Sequence, residues 1–182
     1  KYKLDWFNRL HDDLQKNSEP SKNPVITAGD FNVCPRPVLD EWDPEQEYTN
    51  FDWKLKKTLT EQFPLPETHV SPEMRRAIKK LDDLGMKDVF CERFPKEKAD
   101  TYWDYFKNAF SDKRGLRIDL VLASGVLAKS LESIEVDTLE RTPEKILKKE
   151  NKDLIEKYKD AKGKFVKPSD HALLVASFDW GN

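Results

Sequence analysis

Apolar residues recur at intervals of three and four near the start of the chain, and this spacing predicts an amphipathic helix. The helix covers residues 2–16, and its apolar face contains Leu4, Phe7, Leu10 and Leu14. The remaining positions are mostly charged or amide side chains, which suit a solvated face. We expect this helix to pack by one apolar stripe.

A second helical pattern lies in the middle of the chain. Ser71 is a typical N-cap residue, and Pro72 follows it at the first helical position, where proline is favoured. Gly85 ends the pattern. The apolar face between these signals consists of Met74, Ala77, Ile78, Leu81 and Leu84.

Shorter apolar runs predict strands. They cover residues 25–28, 101–105, 116–123, 134–137 and 172–177. Gly29 is expected to break the first run, and the second and third runs form a hairpin. The last run is continuously apolar or small, which predicts a strand buried on both faces.

A third helix is predicted over residues 142–163, where Thr142-Pro143-Glu144 provides the start and Gly163 the end. Its apolar residues are few and its charged residues are plentiful. This composition favours a solvated surface helix that packs by one narrow stripe.

The composition is that of one folded domain over residues 1–182, with 36% charged, 37% hydrophobic and 11% aromatic residues. A net charge of −2 gives no global signal for nucleic acid, so any such binding needs a local basic surface. No apolar run has the length of a membrane span. Cys34 and Cys91 predict neither a zinc site nor a disulfide framework, and a reduced, intracellular chain is expected.

Acidic, amide and imidazole side chains stand at the ends of three predicted strands. Each group alone is common in turns. Together they have the composition of a site for metal-assisted hydrolysis, which needs carboxylates for a hard cation, a base for water and an imidazole for a phosphate. The residues are Asp30, Asn32, Asp119, Asp170 and His171.

Four motifs occur in the order found in the exonuclease III family of abasic-site endonucleases: GDFN (29–32), TYWDY (101–105), RGLRIDLVLAS (114–124) and PSDHA (168–172). The chain resembles this family, which belongs to the larger endonuclease/exonuclease/phosphatase superfamily. GDFN and SDH fit the whole superfamily, whereas TYWDY joined to RGLRID indicates the DNA-repair branch. The resemblance implies an α/β fold, a four-layered α/β sandwich of the DNase I type that lacks its N-terminal portion. Family members usually have a short link between the RID and SDH motifs, so the predicted helix over 142–163 is expected to be an insertion outside the catalytic site.

The resemblance also implies an activity, the hydrolysis of the DNA backbone at abasic sites, with 3′–5′ exonuclease activity as the related alternative. Mg²⁺ is the implied cofactor, with Mn²⁺ as a substitute. By motif, Asp30 orients or deprotonates the attacking water, and Asn32 holds that water and the phosphate. Asp119 holds His171 in one tautomer, and His171 bonds to the scissile phosphate. The implied metal ligands are Asp170, Asp30 and Asn32.

The implied partner is double-stranded DNA containing abasic sites. Tyr102 and Leu116 match positions that line the family's pocket for a flipped sugar. Phe106 and Lys107 match the hairpin tip that enters the DNA groove, where an apolar side chain can wedge between bases. Arg117 is either a basic contact to DNA or the partner of Asp119 on the same strand face.

The family's N-terminal part supplies an asparagine on an early strand, an acidic metal ligand in an L-Q-E type motif and a tyrosine near the phosphate. This sequence contains no counterpart of these motifs. We therefore expect an N-terminal segment, as a second chain or as missing residues, to complete the fold, and residues 1–182 alone to be inactive and poorly stable. A membrane is not among the expected partners.

Two other functions remain open at this stage. The chain is either a catalytically incomplete DNA-binding fragment or a superfamily phosphatase acting on a lipid or inositol phosphate. The TYWDY hairpin argues against the phosphatase. A DNA-repair role predicts the cytoplasm (nucleoid) of a bacterium or the nucleus of a eukaryote.

Overall fold

The computed structural model describes residues 2–35, 69–95, 97–105, 108–142 and 152–179. Both predicted amphipathic helices are confirmed: α1 spans Tyr2–Asp13 and α2 spans Pro72–Asp83. A π-helical turn, Leu14–Ser18, follows α1. The Ser71 side chain accepts a hydrogen bond from the Met74 amide at 3.3 Å, which is the predicted N-cap.

A three-stranded antiparallel sheet forms the centre of the fold. Its strands are β1 (Ile26–Asp30), β2 (Met86–Asp88) and β3 (Asp119–Ser124), in the order β1-β3-β2. The register places Asp30 directly opposite Asp119. Gly29 lies inside β1 at a φ of +142°, so the prediction that it breaks the strand is wrong. Glycine has no Cβ and tolerates this φ without leaving the ladder.

A second sheet pairs β4 (Leu131–Asp137) with β5 (Leu173–Phe178) in antiparallel register. The prediction that β5 is buried on both faces is wrong for the described chain. Leu174, Ala176 and Phe178 pack inward, but Leu173 is 56% exposed and Val175 is 42% exposed. Exposure alternates along β5 because successive side chains point to opposite faces, and only one face meets another layer of the described residues.

The elements stack in three layers. On one face of the central sheet, α1 and α2 bury a cluster that includes Phe7, Phe31, Leu81 and Leu120. On the other face, Val121 and Ala123 of β3 pack towards β4 and β5. The short helices α3 (Val89–Arg93), α4 (Gly125–Ala128) and α5 (Lys152–Ile155) complete the described α-helices. Helices on a sheet that packs on a second sheet are the layers of an α/β sandwich.

The predicted 101–105/116–123 hairpin is reduced to a local bridge. Tyr102 and Leu116 exchange backbone hydrogen bonds, each 2.9 Å long, but β3 begins only at Asp119. The amides of Ile118 and Asp119 donate instead to the Thr101 hydroxyl, at 3.1 and 3.0 Å. Antiparallel pairing is therefore confirmed, while a continuous strand over 116–123 is not.

The predicted helix over 142–163 ends earlier than its sequence pattern. After α5 a 3-10 turn covers Glu156–Tyr158, and the chain then reverses. The Asp160 carboxylate accepts from the amides of Lys162 and Lys164, both at 2.9 Å, and Gly163 adopts a φ of +73°. An Asp-capped turn thus replaces the last helical residues. Residues 143–151 lie outside the described residues.

Arg117 is fully buried, which corrects both sequence-based interpretations of this residue. Its guanidinium donates to the Asp88 carboxylate at 2.9 and 3.2 Å and to the Cys91 sulfur at 2.9 Å. Its buried position does not present it to DNA, and its carboxylate partner is Asp88. The alternation of side chains along a strand does not apply to Arg117, because residues 116–118 precede β3. Burial by itself would lower the pKa of Arg117, but the neighbouring Asp88 and Cys91 have the larger combined effect and raise this pKa.

Arg117→Met is expected to lower the free energy of unfolding by about 3–5 kcal/mol, because the substitution leaves the Asp88 carboxylate without its cation. Urea unfolding measures this loss. The control is Lys79→Met, which removes exposed ion pairs with Asp82 and Asp83 at 2.6 and 2.7 Å and is expected to cost less than about 1 kcal/mol. Equal losses in both variants would contradict a structural role for the buried pair.

Candidate active site

Two adjacent strand ends carry the first two acids of the site. Asp30 ends β1 and Asp119 begins β3, and the antiparallel register makes them direct neighbours. The pairing continues one residue further, where the Phe31 amide donates to the Ile118 carbonyl at 2.9 Å. Asp30 is exposed, whereas Asp119 is partly covered. The acids are therefore held by a rigid sheet rather than by a loop.

Asn32 folds back onto Asp30. Its backbone amide donates to Asp30 Oδ1 and its side-chain Nδ2 donates to Asp30 Oδ2, each at 2.7 Å. Asn32 has a φ of +54°, a left-handed conformation that asparagine tolerates better than most residues. The carboxylate and the amide thus form one unit on the exposed side of the strand end.

His171 is bound to Asp119. The distance from His171 Nδ1 to Asp119 Oδ2 is 2.9 Å, and the two side chains are 30% and 18% exposed. An ionised carboxylate only accepts hydrogen bonds, so Nδ1 carries the proton. This tautomer presents Nε2, the other ring nitrogen, to a substrate. The arrangement matches the acid–imidazole part of a hydrolase triad.

Thr101 joins the strands that carry Asp119 and His171, and sequence reasoning missed it. Its buried hydroxyl accepts from the Asp119 amide at 3.0 Å, and its carbonyl accepts from the Ala172 amide at 2.7 Å. The Trp103 amide also donates to the Asp170 carbonyl at 2.9 Å. The TYWDY motif therefore links the segments that carry the two residues of the dyad. Its threonine was the sequence feature that could have indicated this link.

Tyr102 lies beside the dyad. Its ring centroid is 5.1 Å from that of His171. Burial, followed by the charges of Asp104 and Asp170, raises the pKa of the Tyr102 phenol. At neutral pH its hydroxyl therefore keeps its proton and can donate a hydrogen bond. Leu116 is only 5% exposed and packs with Tyr102, Cys34 and Ile118, which does not support a role in lining a ligand pocket.

Arg141 binds the backbone of the 101–105 segment, and sequence reasoning did not identify it either. Its guanidinium donates to the Trp103 carbonyl at 3.0 Å. The rings of Trp103, Tyr105 and Phe110 surround it, with centroids 5.9, 5.4 and 5.0 Å away. Burial lowers the pKa of Arg141. This contact fixes the backbone next to Tyr102.

Lys3 and His69 are two further groups that sequence reasoning did not identify. The Lys3 ammonium donates to the Asn32 carbonyl, and His69 Nδ1 lies 3.0 Å from the same oxygen. Burial lowers the pKa of both groups, although the neighbouring Asp30 opposes this for Lys3. His69 is therefore neutral at neutral pH. Neither residue belongs to a motif, and the sequence shows no reason for them to meet.

The expected metal ligands supply the right chemistry but form a small set. Within the described ranges, no group of three or more His, Cys, Asp or Glu side chains is placed to hold a metal ion. Asp30 is the carboxylate that ends β1, Asp170 is a carboxylate three residues before β5 of the other sheet, and Asn32 contributes an amide. Mg²⁺ retains most of its water and often uses only one or two protein carboxylates, so these oxygen donors fit it.

Two predicted DNA contacts, Phe106 and Lys107, lie outside the described residues. The neighbouring Tyr105 is 42% exposed and donates to the Pro168 carbonyl at 2.6 Å. The Lys167 ammonium lies 3.3 Å from the centroid of the Tyr105 ring. The base of the predicted tip is thus fastened to the segment that leads into Asp170 and His171.

Residues 2–171 match the endonuclease/exonuclease/phosphatase family, and the chain belongs to this family. Within it, the predicted resemblance to exonuclease III and the abasic-site endonucleases is confirmed. Exodeoxyribonuclease III of Haemophilus influenzae is 27% identical over 174 residues, which are 95% of this chain and 52% of that protein. The α/β sandwich class is confirmed as well.

Solved structures agree with this assignment. An AP endonuclease from Archaeoglobus fulgidus is 31% identical, with a TM-score of 0.65 over 98% of this chain and 54% of that one. The 3′ phosphatase NExo from Neisseria, bound to a product DNA hairpin, is 28% identical, with a TM-score of 0.63 over 99% and 54%. The chain therefore spans about half the length of these relatives. None of the described helices is long and apolar enough to cross a membrane.

Proposed function

We propose that this protein is a metal-dependent phosphodiesterase that hydrolyses the DNA backbone at abasic sites. The observation that carries the proposal is the pairing of the Asp119–His171 dyad with the Asp30–Asn32 unit across two adjacent strand ends. The first unit suits contact with a phosphate, and the second suits activation of water. The related AP endonuclease and the DNA-bound 3′ phosphatase support DNA as the substrate class.

In the proposed reaction, Asp30 accepts a proton from water as the water oxygen attacks phosphorus. The P–O3′ bond breaks, and the O3′ oxygen leaves with the electron pair of that bond and takes a proton from solvent to become a 3′-hydroxyl. Asn32 Nδ2 orients Asp30 and the water. When its ring carries a proton on both nitrogens, His171 donates from Nε2 to a phosphate oxygen, where negative charge develops, while Asp119 accepts from Nδ1 and fixes the orientation of the ring. Mg²⁺, held by Asp170, Asp30 and Asn32, would supply charge neutralisation when bound. Mn²⁺ has the same preference for oxygen ligands.

The proposed substrate is double-stranded DNA with an abasic site. An abasic site has no base to read, so recognition depends on phosphate contacts and on exposure of the sugar. Tyr102 is placed beside His171 and can donate to the sugar or phosphate. Phe106 and Lys107 remain the proposed groove contacts. A repair role would place the protein with DNA, in the cytoplasm of a bacterium or the nucleus of a eukaryote.

We further propose that an N-terminal segment of the same fold, as a second chain or as additional residues, covers the exposed sheet surfaces. Leu173 and Val175 of β5 and Ile26 of β1 are large apolar side chains that are at least 39% exposed. Exposed apolar strand faces are typical of interaction surfaces and favour aggregation when uncovered. The segment would also add an acidic metal ligand.

The small ligand set of the described residues equally suits a non-catalytic DNA-binding fragment.

An incision assay on the full-length protein separates these functions. With Mg²⁺, we expect cleavage of an abasic duplex, at least about tenfold slower cleavage of the matching intact duplex and no release of phosphate from a phosphoinositide. A chelator should stop the reaction. DNA binding without turnover would support the non-catalytic fragment, and phosphate release from the phosphoinositide would support the superfamily phosphatase.

A further inference from the structure

We infer that His69, together with Lys3, is a positioning residue that fixes Asn32 for the reaction, an inference that rests on the proposed function. Both side chains bond to one atom, the Asn32 carbonyl oxygen. Lys3 belongs to α1, and His69 precedes the N-cap of α2. Helix α1 and the segment just before α2, which are distant in sequence, thus deliver hydrogen-bond donors to the same point of the site.

The Asn32 turn needs such support. Asparagine enters the left-handed region more readily than most residues, but one fixed conformation there still depends on surroundings that hold it. Asn32 has already committed its backbone amide and its side-chain Nδ2 to Asp30. With the carbonyl bound as well, every polar group that fixes the turn has a partner. The orientation of the Asp30 carboxylate, which the amide groups of Asn32 bind, then depends on the donors that bind the Asn32 carbonyl.

His69 is placed for this role rather than for solvation. Its side chain is buried, with 6% exposure, and its carbonyl accepts from the Cys34 amide at 2.8 Å. A carbonyl can only accept, so Nδ1 of His69 carries the donated proton. The ring also lies 6.5 Å, centroid to centroid, from Tyr102, which in turn contacts His171. His69 therefore links Asn32 to the residues beside the dyad.

The expected consequence concerns kcat more than KM. The Asp30–Asn32 unit acts on water in the transition state, so a loosened turn weakens an interaction that is made mainly there. His69→Leu removes the donor and keeps an apolar side chain of similar width. His69→Asn places an amide donor near the position of Nδ1. We expect kcat for incision to fall about tenfold in the leucine variant and to stay within about threefold in the asparagine variant.

Lys3→Met and Lys3→Arg form a second pair with the same logic. Arginine retains a donor and methionine does not, so only the methionine variant should lose kcat. His11→Leu and Lys22→Met are the matched controls, because these residues make only surface contacts with Asp12 and Glu19. Both controls should remain within about twofold of the parent protein. Equal kcat in His69→Leu and His69→Asn, whether high or low, would overturn the inference.

A measurement without turnover keeps the inference separate from the proposed function. The Asn32 side-chain amide signal is assigned in the ¹⁵N–¹H spectrum by its loss in Asn32→Asp. It should shift in His69→Leu and return towards the parent position in His69→Asn. A parent protein inactive on every substrate would refute the proposed function, while this readout still tests whether His69 positions Asn32. An Asn32 signal unaffected by His69→Leu would overturn that positioning role.

Discussion

His171→Ala is expected to lower the rate of abasic-site incision by at least about 10²-fold. The substitution removes the imidazole whose Nδ1 is held by Asp119 at 2.9 Å and whose Nε2 is presented to the phosphate. Losses of this size are typical when one group that stabilises developing charge, or transfers a proton, is deleted. The measurement is single-turnover cleavage of an abasic duplex by the full-length protein with Mg²⁺.

Folding should survive this change, because the His171 side chain is partly exposed and lies just before β5. His11→Ala is the matched control, since it removes an imidazole from the surface of α1 and should leave the rate unchanged. Asp119→Asn gives a second comparison, because the amide can reverse the preferred tautomer of His171. A rate within threefold of the parent for His171→Ala would exclude this residue from the mechanism.

Asp30→Ala is expected to have a comparable effect, again at least about 10²-fold. Asp30 has two roles in the proposed reaction, since it accepts the proton of water and also holds Asn32 through both carboxylate oxygens. Asp30→Asn separates the two roles. The asparagine side chain preserves size and one acceptor but is no base, so its rate should stay as low as that of the alanine variant.

Asp12→Ala provides the control for Asp30, because its side chain is 61% exposed on α1. Thermal unfolding of each variant checks that the fold is retained, which the exposed position of Asp30 favours. If Asp30→Asn cleaves as fast as the parent, Asp30 serves only to hold the Asn32 turn. The water would then need another base.

Local signals in the sequence predicted the elements whose causes are local. Ser71 and Pro72 specify the start of α2 within a few residues, and the structure confirms the cap. The strand ends that carry Asp30, Asp119 and His171 were recognisable from short motifs, and the structure brings these residues together. Their catalytic roles are proposals that the variants above test.

Arg117 and β5 show where a periodic pattern fails. Alternation predicted that Arg117 shares a face with Asp119, but Thr101 takes the amides of Ile118 and Asp119 and changes the local path of the chain. For β5, a continuous apolar run predicted two buried faces, but within the described residues another layer covers only one face. Both outcomes depend on tertiary neighbours that a short window of sequence does not contain.

The supporting residues of the site were hidden for a different reason. Lys3 looked like a solvated position on an amphipathic helix, and His69 follows a proline-rich stretch without a motif. Their meeting at the Asn32 carbonyl depends on how α1 and α2 pack on the sheet. A hydrogen bond to a backbone oxygen requires no particular partner side chain, so it leaves no sequence signature.

The fate of the water oxygen shows directly whether water attacks phosphorus at an abasic site, as proposed. A single turnover of abasic duplex by the full-length protein is run with Mg²⁺ in ¹⁸O-enriched water, and the products are analysed by mass spectrometry. We expect one ¹⁸O atom in the phosphate of the product strand and an unlabelled 3′-hydroxyl on the other strand. An unlabelled phosphate together with an unsaturated aldehyde at the 3′ end would show elimination at carbon and would contradict the proposal.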